Sequence, residues 1–236
     1  KNLMKFLKKM LQVGLAVFFF GLLATSTVLA DTIGGQFVDK GNRKYYIKDD
    51  HKAIYWHKID GKTYYFDDDG EMVVGWQYLE IPGTGYRDDL FDNRPVFEIG
   101  LQYKWYYFDQ DGVLQEFVGW QQLEVKDSLT VGKKHGEGFE GPEVLKLANY
   151  YFDEDHSLKT GWLYDQSNWY YLDPTTGIMQ TGWEYLGNKW YYLRSSGAMA
   201  TGWYQEGSTW YYLDAQNGDM KTGWFQVGGK WYYAYS

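Results

Sequence analysis

Residues 181–193 read TGWEYLGNKWYYL, and this stretch decides the fold because close copies of it recur along the chain. A Gly-Trp pair opens the stretch, and a second tryptophan seven residues later opens the triplet Trp-Tyr-Tyr. Four consecutive copies have their first tryptophans at Trp162, Trp183, Trp203 and Trp224, which are 21, 20 and 21 residues apart. A fixed period near 20 residues indicates a series of stacked structural units.

The earlier part of the chain keeps the same register once two insertions are recognised. Trp76 precedes Trp105 by 29 residues instead of seven, and Trp120 precedes Asn149 by the same 29, so each unit carries 22 extra residues. All 12 tryptophans of the chain then fall at one of two register positions. Eight units result, and they begin at Phe37, Trp56, Trp76, Trp120, Trp162, Trp183, Trp203 and Trp224.

Each unit is predicted to be a short β-hairpin. Trp and Tyr favour strands, and turn residues such as Gly187-Asn188 separate the two aromatic runs. A single two-stranded hairpin is only marginally stable in water, so the units must bury their faces against one another. We therefore expect an all-β solenoid of stacked hairpins. The expected segments are degenerate repeats at 31–75, two repeats with long inserted hairpin arms at 76–160, and regular repeats at 161–236.

Composition excludes several classes of protein. The chain has no cysteine, so it has no disulfide framework, thiolate zinc site or cysteine nucleophile. A net charge of −8 argues against nucleic acid or an anionic membrane surface as the main partner. The four histidines are scattered without metal-ligand spacing. We expect them on the surface or in loops, and we expect no metal site, no cofactor and no catalytic residue.

The first thirty residues have the pattern of a secretory signal peptide. Four lysines precede an apolar run from Met10 to Leu23, and small residues lead to Ala30. The alternative is a membrane anchor, but this run is shorter than the roughly 20 residues needed to cross a bilayer. Removal of 1–30 lowers the net charge from −8 to −12, because the segment carries four lysines and no acidic residue. We expect a secreted protein without a transmembrane anchor.

Alternation along the strands predicts a ligand site. Successive side chains of a strand point to opposite faces, so Trp190 and Tyr191 face different neighbours in the stack. Two tryptophans of one hairpin then meet one tyrosine of the next hairpin around a gap. Such a box attracts a quaternary ammonium ion, with about 0.5–2 kcal/mol from each ring.

The motif Thr-Gly-Trp, seven residues, Trp-Tyr-Tyr-Leu-Asp, Gly-x-Met resembles the choline-binding repeats of pneumococcal-type cell-wall proteins. The resemblance covers 31–236 and is tightest over 160–236. It implies a left-handed solenoid that binds phosphocholine of teichoic and lipoteichoic acids without a covalent bond. It also implies sites made of two Trp of one repeat and a Tyr of the next, closed by a Met or Leu.

Carried over by position, the resemblance implies four choline-binding sites. They are Trp162, Trp169, Tyr191 and Met199; Trp183, Trp190, Tyr211 and Met220; Trp203, Trp210 and Tyr232, without a Met; and Trp76, Trp105 and Tyr150 with Leu158. The Met side chains can either line the site or fill space in the core between repeats. An aromatic wall is missing at Asn149, Thr63 and Lys44. Tyr171, Tyr192 and Tyr212 are expected in the core between repeats.

Other functions stay open at this point. Related aromatic repeats bind glucans, although those usually lack the second tryptophan. A third possibility is regulation of a choline-dependent wall hydrolase. Because the repeats occupy nearly all of 31–236, we expect no enzyme domain. The arms at 81–104 and 125–148 are hypothesised to recognise a protein partner.

Overall fold

The computed structural model of the protein describes residues 29, 31–83, 91–95, 101–137 and 146–236. The signal peptide predicted at 1–30 lies, apart from Leu29, outside the described residues. The described residues form strands, turns and loops and contain no helix, so the all-β prediction is confirmed. Within the same ranges, no helix with the length and apolar character of a membrane span is found.

The strands are short, most of them five or six residues long. In chain order they are β1 (Gln36–Lys40), β2 (Arg43–Lys48), β3 (His51–Lys52), β4 (Tyr55–Ile59), β5 (Lys62–Phe66), β6 (Val73–Glu80), β7 (Tyr103–Phe108), β8 (Gly119–Glu124), β9 (Lys133–Lys134), β10 (Leu147–Phe152), β11 (Gly161–Asp165), β12 (Asn168–Leu172), β13 (Gly182–Leu186), β14 (Lys189–Leu193), β15 (Gly202–Glu206), β16 (Thr209–Leu213), β17 (Gly223–Val227) and β18 (Lys230–Ala234).

Each predicted repeat is one hairpin. The strand pairs are β1–β2, β4–β5, β6–β7, β8–β10, β11–β12, β13–β14, β15–β16 and β17–β18. In the hairpin β13–β14, Leu186 pairs with Lys189 across a two-residue turn. Both turn residues, Gly187 and Asn188, have positive φ angles of 56° and 64°. Type I′ turns require this conformation, and they match the twist of antiparallel strands.

The described chain divides into two compact units, which we call the N-terminal unit (up to Met72, plus 80–103) and the C-terminal unit (73–79, plus 104–236). This division differs from the segments expected from the repeat pattern, because the first insertion packs with the N-terminal hairpins. The Ile54 amide donates to the Phe91 carbonyl oxygen at 2.8 Å, and the Asn93 side-chain amide donates to the Trp56 carbonyl oxygen at 2.7 Å.

The second insertion also folds back onto a neighbouring strand. Its strand β9 pairs with Val73 and Val74 of β6. The amide of Gly132 donates to the carbonyl oxygen of Trp76 at 2.9 Å. A free strand edge offers unpaired backbone groups, and the insertion satisfies them. Both hairpins are lengthened, since Ile81 bonds to Gln102 and Val125 bonds to Lys146, and the described parts of the insertions pack back onto neighbouring strands.

Aromatic side chains fill the core of the N-terminal unit, where Trp56 and Phe66 are completely buried. His57 is buried beside them, contrary to the expectation that all four histidines lie on the surface or in loops. Its ring nitrogens lie 2.9 Å from Thr32 Oγ1 and 2.9 Å from the Ile54 carbonyl oxygen. These two partners explain how an imidazole is accommodated in an apolar core, and burial lowers its pKa.

In the C-terminal unit the first three of the four regular hairpins each contribute one fully buried leucine: Leu172, Leu193 and Leu213. A glycine of each connector packs against a side chain of the preceding connector. A Cβ at Gly197 would collide with the Met179 side chain, and Gly197 also has a φ of 86°. Glycine is therefore required at this position by both space and backbone conformation.

Consecutive hairpins of the C-terminal unit stack through aromatic rings. Tyr192 stacks on Tyr204 at 4.0 Å between ring centroids, and Tyr212 stacks on Phe225 at 5.2 Å. These contacts confirm the expected packing of Tyr192 and Tyr212 between repeats. Tyr171 contacts Trp162 of its own hairpin at 5.1 Å. The left-handed sense of the stack stays a prediction.

Candidate functional site

The best-formed site is a crevice between hairpins β13–β14 and β15–β16, which we call cage 183. The ring centroids of Trp183 and Trp190 are 6.5 Å apart, and the ring planes meet at 85°. Tyr211 of the next hairpin lies 4.7 Å from Trp183 at an interplanar angle of 61°. With Met220 and Glu206, these rings line a crevice of about 360 Å³.

The backbone of the next connector holds the second wall of this cage. The amide of Met220 donates to the carbonyl oxygen of Trp190 at 2.8 Å. Met220 also bridges to Leu213 of its own hairpin. One connector residue therefore ties the wall of one hairpin to the strand of the next, and its side chain lines the crevice.

A second site, cage 162, repeats this frame one hairpin earlier. Trp162 and Trp169 are 6.3 Å apart with planes at 85°, and Tyr191 lies 5.1 Å from Trp162. The amide of Met199 donates to the carbonyl oxygen of Trp169 at 2.7 Å. The three rings expected here are therefore brought together, and the Met199 backbone is tied to the second wall.

A third site, cage 203, lies one hairpin later than cage 183. Trp203 and Trp210 are 6.3 Å apart with planes at 84°, and Tyr232 lies 4.9 Å from Trp203. The counterpart of Met199 and Met220 would fall after Ser236. The three rings are nevertheless arranged as in cages 162 and 183.

Solvent reaches the cages through their second tryptophans. Trp169 and Trp190 are each 42% exposed, although indole rings are usually well buried. Tyr164 and Tyr185 lie directly across the hairpin from them and pack beside their rings, at 5.1 Å and 5.0 Å. Sequence analysis missed these two tyrosines, although a tyrosine two residues after the first tryptophan was visible in both repeats.

An acidic side chain at the cage was also missed. The indole N–H of Trp183 donates to Glu206 Oε2 at 3.2 Å. In the hairpin before cage 162, the indole N–H of Trp120 donates in the same way to Asp165 Oδ2 at 3.1 Å. In both cases the acid stands three residues after the next repeat's first tryptophan, a spacing that the sequence shows. A carboxylate here adds negative charge next to the aromatic walls.

The fourth predicted site is not an open crevice, and this expectation is corrected. Trp76 and Tyr150 are 0% exposed and belong to a hydrophobic core cluster with Leu158, against which Trp105 packs. The second insertion covers them: Lys126 Nζ lies 3.9 Å from the centroid of the Trp105 ring. Trp76, Tyr150 and Leu158 therefore form part of a buried cluster, whereas the rings of the three cages border exposed tryptophans.

The crevice beside Trp120 has the frame of a cage without its second indole. Trp120 and Tyr170 are 4.9 Å apart at 66°, and the Met179 amide donates to the Asn149 carbonyl oxygen at 2.9 Å. A space of about 340 Å³ remains there, and its lining includes Asn149 and Asp165. The sequence correctly indicated that this wall is missing.

The walls missing at Thr63 and Lys44 belong to the N-terminal unit. Thr63 is buried, as is Trp56 of the same hairpin, while Phe37 packs against Tyr46 at 5.1 Å. Among the residues that the structure describes, no group of three or more His, Asp or Glu side chains is placed to hold a metal ion.

Comparison with known proteins agrees with this geometry. A family model described as a choline-binding repeat matches residues 53–86 and 180–222. A second model, described as a cell wall binding repeat, matches residues 102–114, 160–179 and 222–236. The matched stretches include all three cages.

The structure of CbpJ from Streptococcus pneumoniae TIGR4 is similar, with 55% sequence identity and a TM-score of 0.53. The alignment covers 86% of this chain and 78% of CbpJ. The chain belongs to the choline-binding repeat family. The resemblance read from the repeat motif is thereby confirmed, and so is the stacked-hairpin fold. Its repeats are choline- and cell-wall-binding repeats, which associate with the wall surface.

Two further comparisons differ in extent. Choline binding protein F from Streptococcus pneumoniae is 53% identical, with 87% of this chain and 92% of that chain covered and a TM-score of 0.44. Glucosyltransferase-S of Streptococcus mutans is 31% identical over an alignment of 151 positions that covers 57% of this chain. The match spans only 9% of that curated relative, so it concerns the repeats alone.

Proposed function

We propose that residues 31–236 bind the phosphocholine groups of teichoic and lipoteichoic acids, and thereby hold the protein on the bacterial cell wall without a covalent bond. The observation that carries this proposal is the threefold recurrence of one ring frame. In cages 162, 183 and 203, two indoles of one hairpin stand nearly perpendicular and a phenol of the next hairpin completes the box.

The chemistry of the frame suits a trimethylammonium ion. Such an ion has no N–H donor, so it is recognised by electron-rich ring faces and by nearby negative charge. Each ring contributes about 0.5–2 kcal/mol, and three rings give only weak affinity once the entropic cost of binding is included. The Glu206 carboxylate adds an attraction in cage 183, and the equivalent positions of cages 162 and 203 hold Leu186 and Val227.

Tight attachment then comes from the number of cages. The three cages occur in successive hairpins, and a teichoic acid is a repeating polymer that can occupy several of them at once. Multivalent binding of this kind gains about 10²–10⁴ in apparent affinity when the geometry permits simultaneous engagement. The protein carries a net charge of −8, so long-range charge does not draw it to a polyanion. Attraction rests on the local cation in each cage.

The direct test is a choline titration that follows tryptophan fluorescence, with equilibrium dialysis to count the sites. We expect three choline ions per chain. Trp183→Ala should reduce this number to two, because it removes the ring that contacts both Trp190 and Tyr211. Trp224→Phe is the matched control, since Trp224 occupies the same register and its described ring contact is with Tyr233 of its own hairpin.

Elution of the same protein from an affinity column distinguishes choline binding from glucan binding. Elution by choline and not by dextran is expected, because the paired tryptophans form boxes around a cation instead of one open stacking surface. Elution by dextran alone would overturn the proposal. Regulation of a wall hydrolase would appear as a change in wall digestion when a hydrolase and this protein are incubated together.

We further propose that these repeats act as a binding module without catalytic residues of their own, and that 1–30 directs export. The insertions are proposed to recognise a protein partner. Exposed apolar side chains support this role, since Tyr78 precedes the first insertion and Leu147 lies in the second. A variant with both changed to Lys should lose partner retention at saturating choline and keep its choline count. If this variant still retained the partner, the proposal of a partner site would fail, and the proposal of choline binding would be unaffected.

A further inference from the structure

We propose that Lys126 is a built-in substitute for choline: the second insertion places its own ammonium ion against the wall tryptophan of a cage that would otherwise accept the free ligand. This inference rests on the proposed function of the three open cages, and it explains why the position of Trp76, Trp105 and Tyr150 is closed. We call this position the filled cage.

The filled cage has the same backbone frame as the open ones. The amide of Leu158 donates to the carbonyl oxygen of Trp105 at 2.9 Å, as the Met199 amide does to Trp169 at 2.7 Å. The tyrosine of the next hairpin, Tyr150, lies 4.8 Å from Trp76. The corresponding distance in cage 162 is 5.1 Å. The backbone bond and the contact between Trp76 and Tyr150 are therefore those of an open cage, and Trp105 packs against the cluster that contains them.

The occupant is a cation held by a ring face. Lys126 Nζ lies 3.9 Å from the centroid of the Trp105 ring, well inside the ~6 Å limit of a cation–π contact. The same nitrogen donates to the Thr175 carbonyl oxygen at 3.1 Å. The backbone amide of Lys126 donates to the Tyr150 hydroxyl at 2.8 Å, which fixes the start of the side chain at the third wall.

The ammonium ion is recognised without a contacting carboxylate. Residue Lys126 is only 8% exposed, and burial lowers its pKa. Among the described residues, the hydrogen-bond acceptor of its nitrogen is the Thr175 carbonyl oxygen, and Asp173 is near enough to favour the charged form. An indole face and a carbonyl oxygen thus replace the counter-ion. The contact with an indole face is the one proposed for choline in the open cages, whereas the hydrogen bond to Thr175 is available only to an ammonium ion that carries N–H groups.

A tethered cation has a consequence that a free ligand does not have. Its effective concentration at the ring is set by the chain and not by the surroundings, so millimolar choline does not displace it. The interface between hairpins β6–β7 and β8–β10 is therefore closed at every choline concentration. Stabilisation by choline is confined to the three interfaces with open cages.

The absence of cysteine from the chain allows a direct test. Lys126→Cys introduces a single thiol, which can be alkylated in denaturant before refolding. Bromoethylamine restores a lysine analogue with an ammonium ion, and bromoethyl-trimethylammonium gives a tethered choline-like group. Iodoacetamide gives a neutral adduct as the matched control. Thermal unfolding without choline and the number of bound choline ions are measured for each.

We expect the neutral adduct to unfold roughly 5 °C below the ammonium adduct. The trimethylammonium adduct should unfold at least as high as the ammonium adduct, since the walls match a methylated cation. Unmodified Lys126→Cys should bind four choline ions, and both cationic adducts should bind three. Equal unfolding temperatures of the neutral and cationic adducts would overturn the proposal, as would a choline count that stays at three in Lys126→Cys.

This design separates the inference from the function on which it rests. If the unaltered chain bound no choline, the proposed function would fail, whereas the order of unfolding temperatures among the adducts would still report whether a cation occupies the filled cage. If Lys126→Cys did not refold, the ammonium adduct would decide the question, because it restores a side chain of lysine length and charge at the same position.

Discussion

Trp76 and Trp183 occupy the same register position, but one is core and the other is a cage wall. Trp76 is 0% exposed and contacts Tyr107, Tyr150 and Phe152, whereas Trp183 borders an open crevice of about 360 Å³. The ring of the following hairpin lies at nearly the same distance in both places, 4.8 Å and 4.7 Å. The frame is therefore common to both positions, and the cover decides whether it can take a ligand.

Of the two positions, only that of Trp76 is covered by another described segment of the chain. An inserted segment, with Lys126 at its start, closes the crevice beside Trp76. The regular hairpins have two-residue turns and no segment long enough to reach their own crevices. In this fold, an inserted segment that carries a suitably placed ammonium ion occupies a position at which a regular hairpin leaves an open crevice.

The largest expected effect separates these two tryptophans. Trp76→Ala should lower the free energy of unfolding by about 3–5 kcal/mol, because it opens a cavity in a closed core. Trp183→Ala should cost much less stability without choline and should remove one choline site. Urea unfolding with and without choline measures both quantities. Equal losses of stability for the two variants would contradict the distinction between core and wall.

A second prediction concerns two glutamates that stand four residues after Trp76 and Trp120. Glu80 accepts the indole N–H of Trp56 on its carbonyl oxygen at 2.9 Å and the Tyr65 hydroxyl on its carboxylate at 3.1 Å. Glu80 is 2% exposed, its Oε1 has no hydrogen-bond partner, and burial raises its pKa to about 7 from 4.5.

The raised pKa makes the folded state bind a proton that the unfolded state has lost. Between pH about 4.5 and 7 the free energy of unfolding should therefore fall as pH rises, by about 3 kcal/mol in total. Glu80→Gln should flatten this part of the pH profile. Glu124→Gln is the matched control, since Glu124 makes the equivalent contacts with Trp76 and Tyr107 in the C-terminal unit. If the free energy of unfolding of Glu80→Gln still fell with pH over this range, Glu80 would not be the group responsible.

A third prediction completes the crevice that lacks its second indole. Asn149→Trp should give one additional choline site, because Trp120, Tyr170 and the Met179 clamp are already in place. Equilibrium dialysis should count four choline ions instead of three. Asn149→Leu is the control, since it supplies apolar volume without a π face. A fourth site in the leucine variant would show that the ring is not what binds the cation.

The smallest expected effect distinguishes cage 183 from its two neighbours. Glu206→Gln keeps an acceptor for the Trp183 indole but removes a negative charge from the crevice. We expect choline affinity of that cage to fall about two- to fivefold, and the difference to shrink at high salt. Fluorescence titration at two ionic strengths measures it, with Glu154→Gln as an exposed control outside the cages. An unchanged choline affinity of Glu206→Gln at low salt would show that the carboxylate does not contribute to binding.

The repeat pattern predicted the open cages because their contacts are short-range and recur. Trp190 and Tyr191 face opposite neighbours by strand alternation alone, and Tyr191 lies against Trp162 as expected. The signal was repeated in every regular hairpin, so each copy supported the interpretation of the others.

The insertions could not be predicted in the same way. Their fold-back depends on pairing between β9 and β6, which are about sixty residues apart, and their sequences have no regular copy for comparison. Lys126 is one lysine in a polar stretch, and nothing in its spacing distinguishes it from a surface residue. His57 was misplaced for a related reason: its partner Thr32 is distant in sequence, so the pattern around the histidine gave no sign of burial.

The connector hydrogen bond to the second wall means that a cage never belongs to a single repeat. The Met199 amide reaches back to Trp169, and Tyr191 comes from the later hairpin as well. The binding unit is thus out of phase with the unit that is copied in the gene. Duplication of one repeat anywhere in the regular stretch therefore adds one whole cage, with its rings and its connector hydrogen bond. The number of binding sites can grow one at a time without any new substitution.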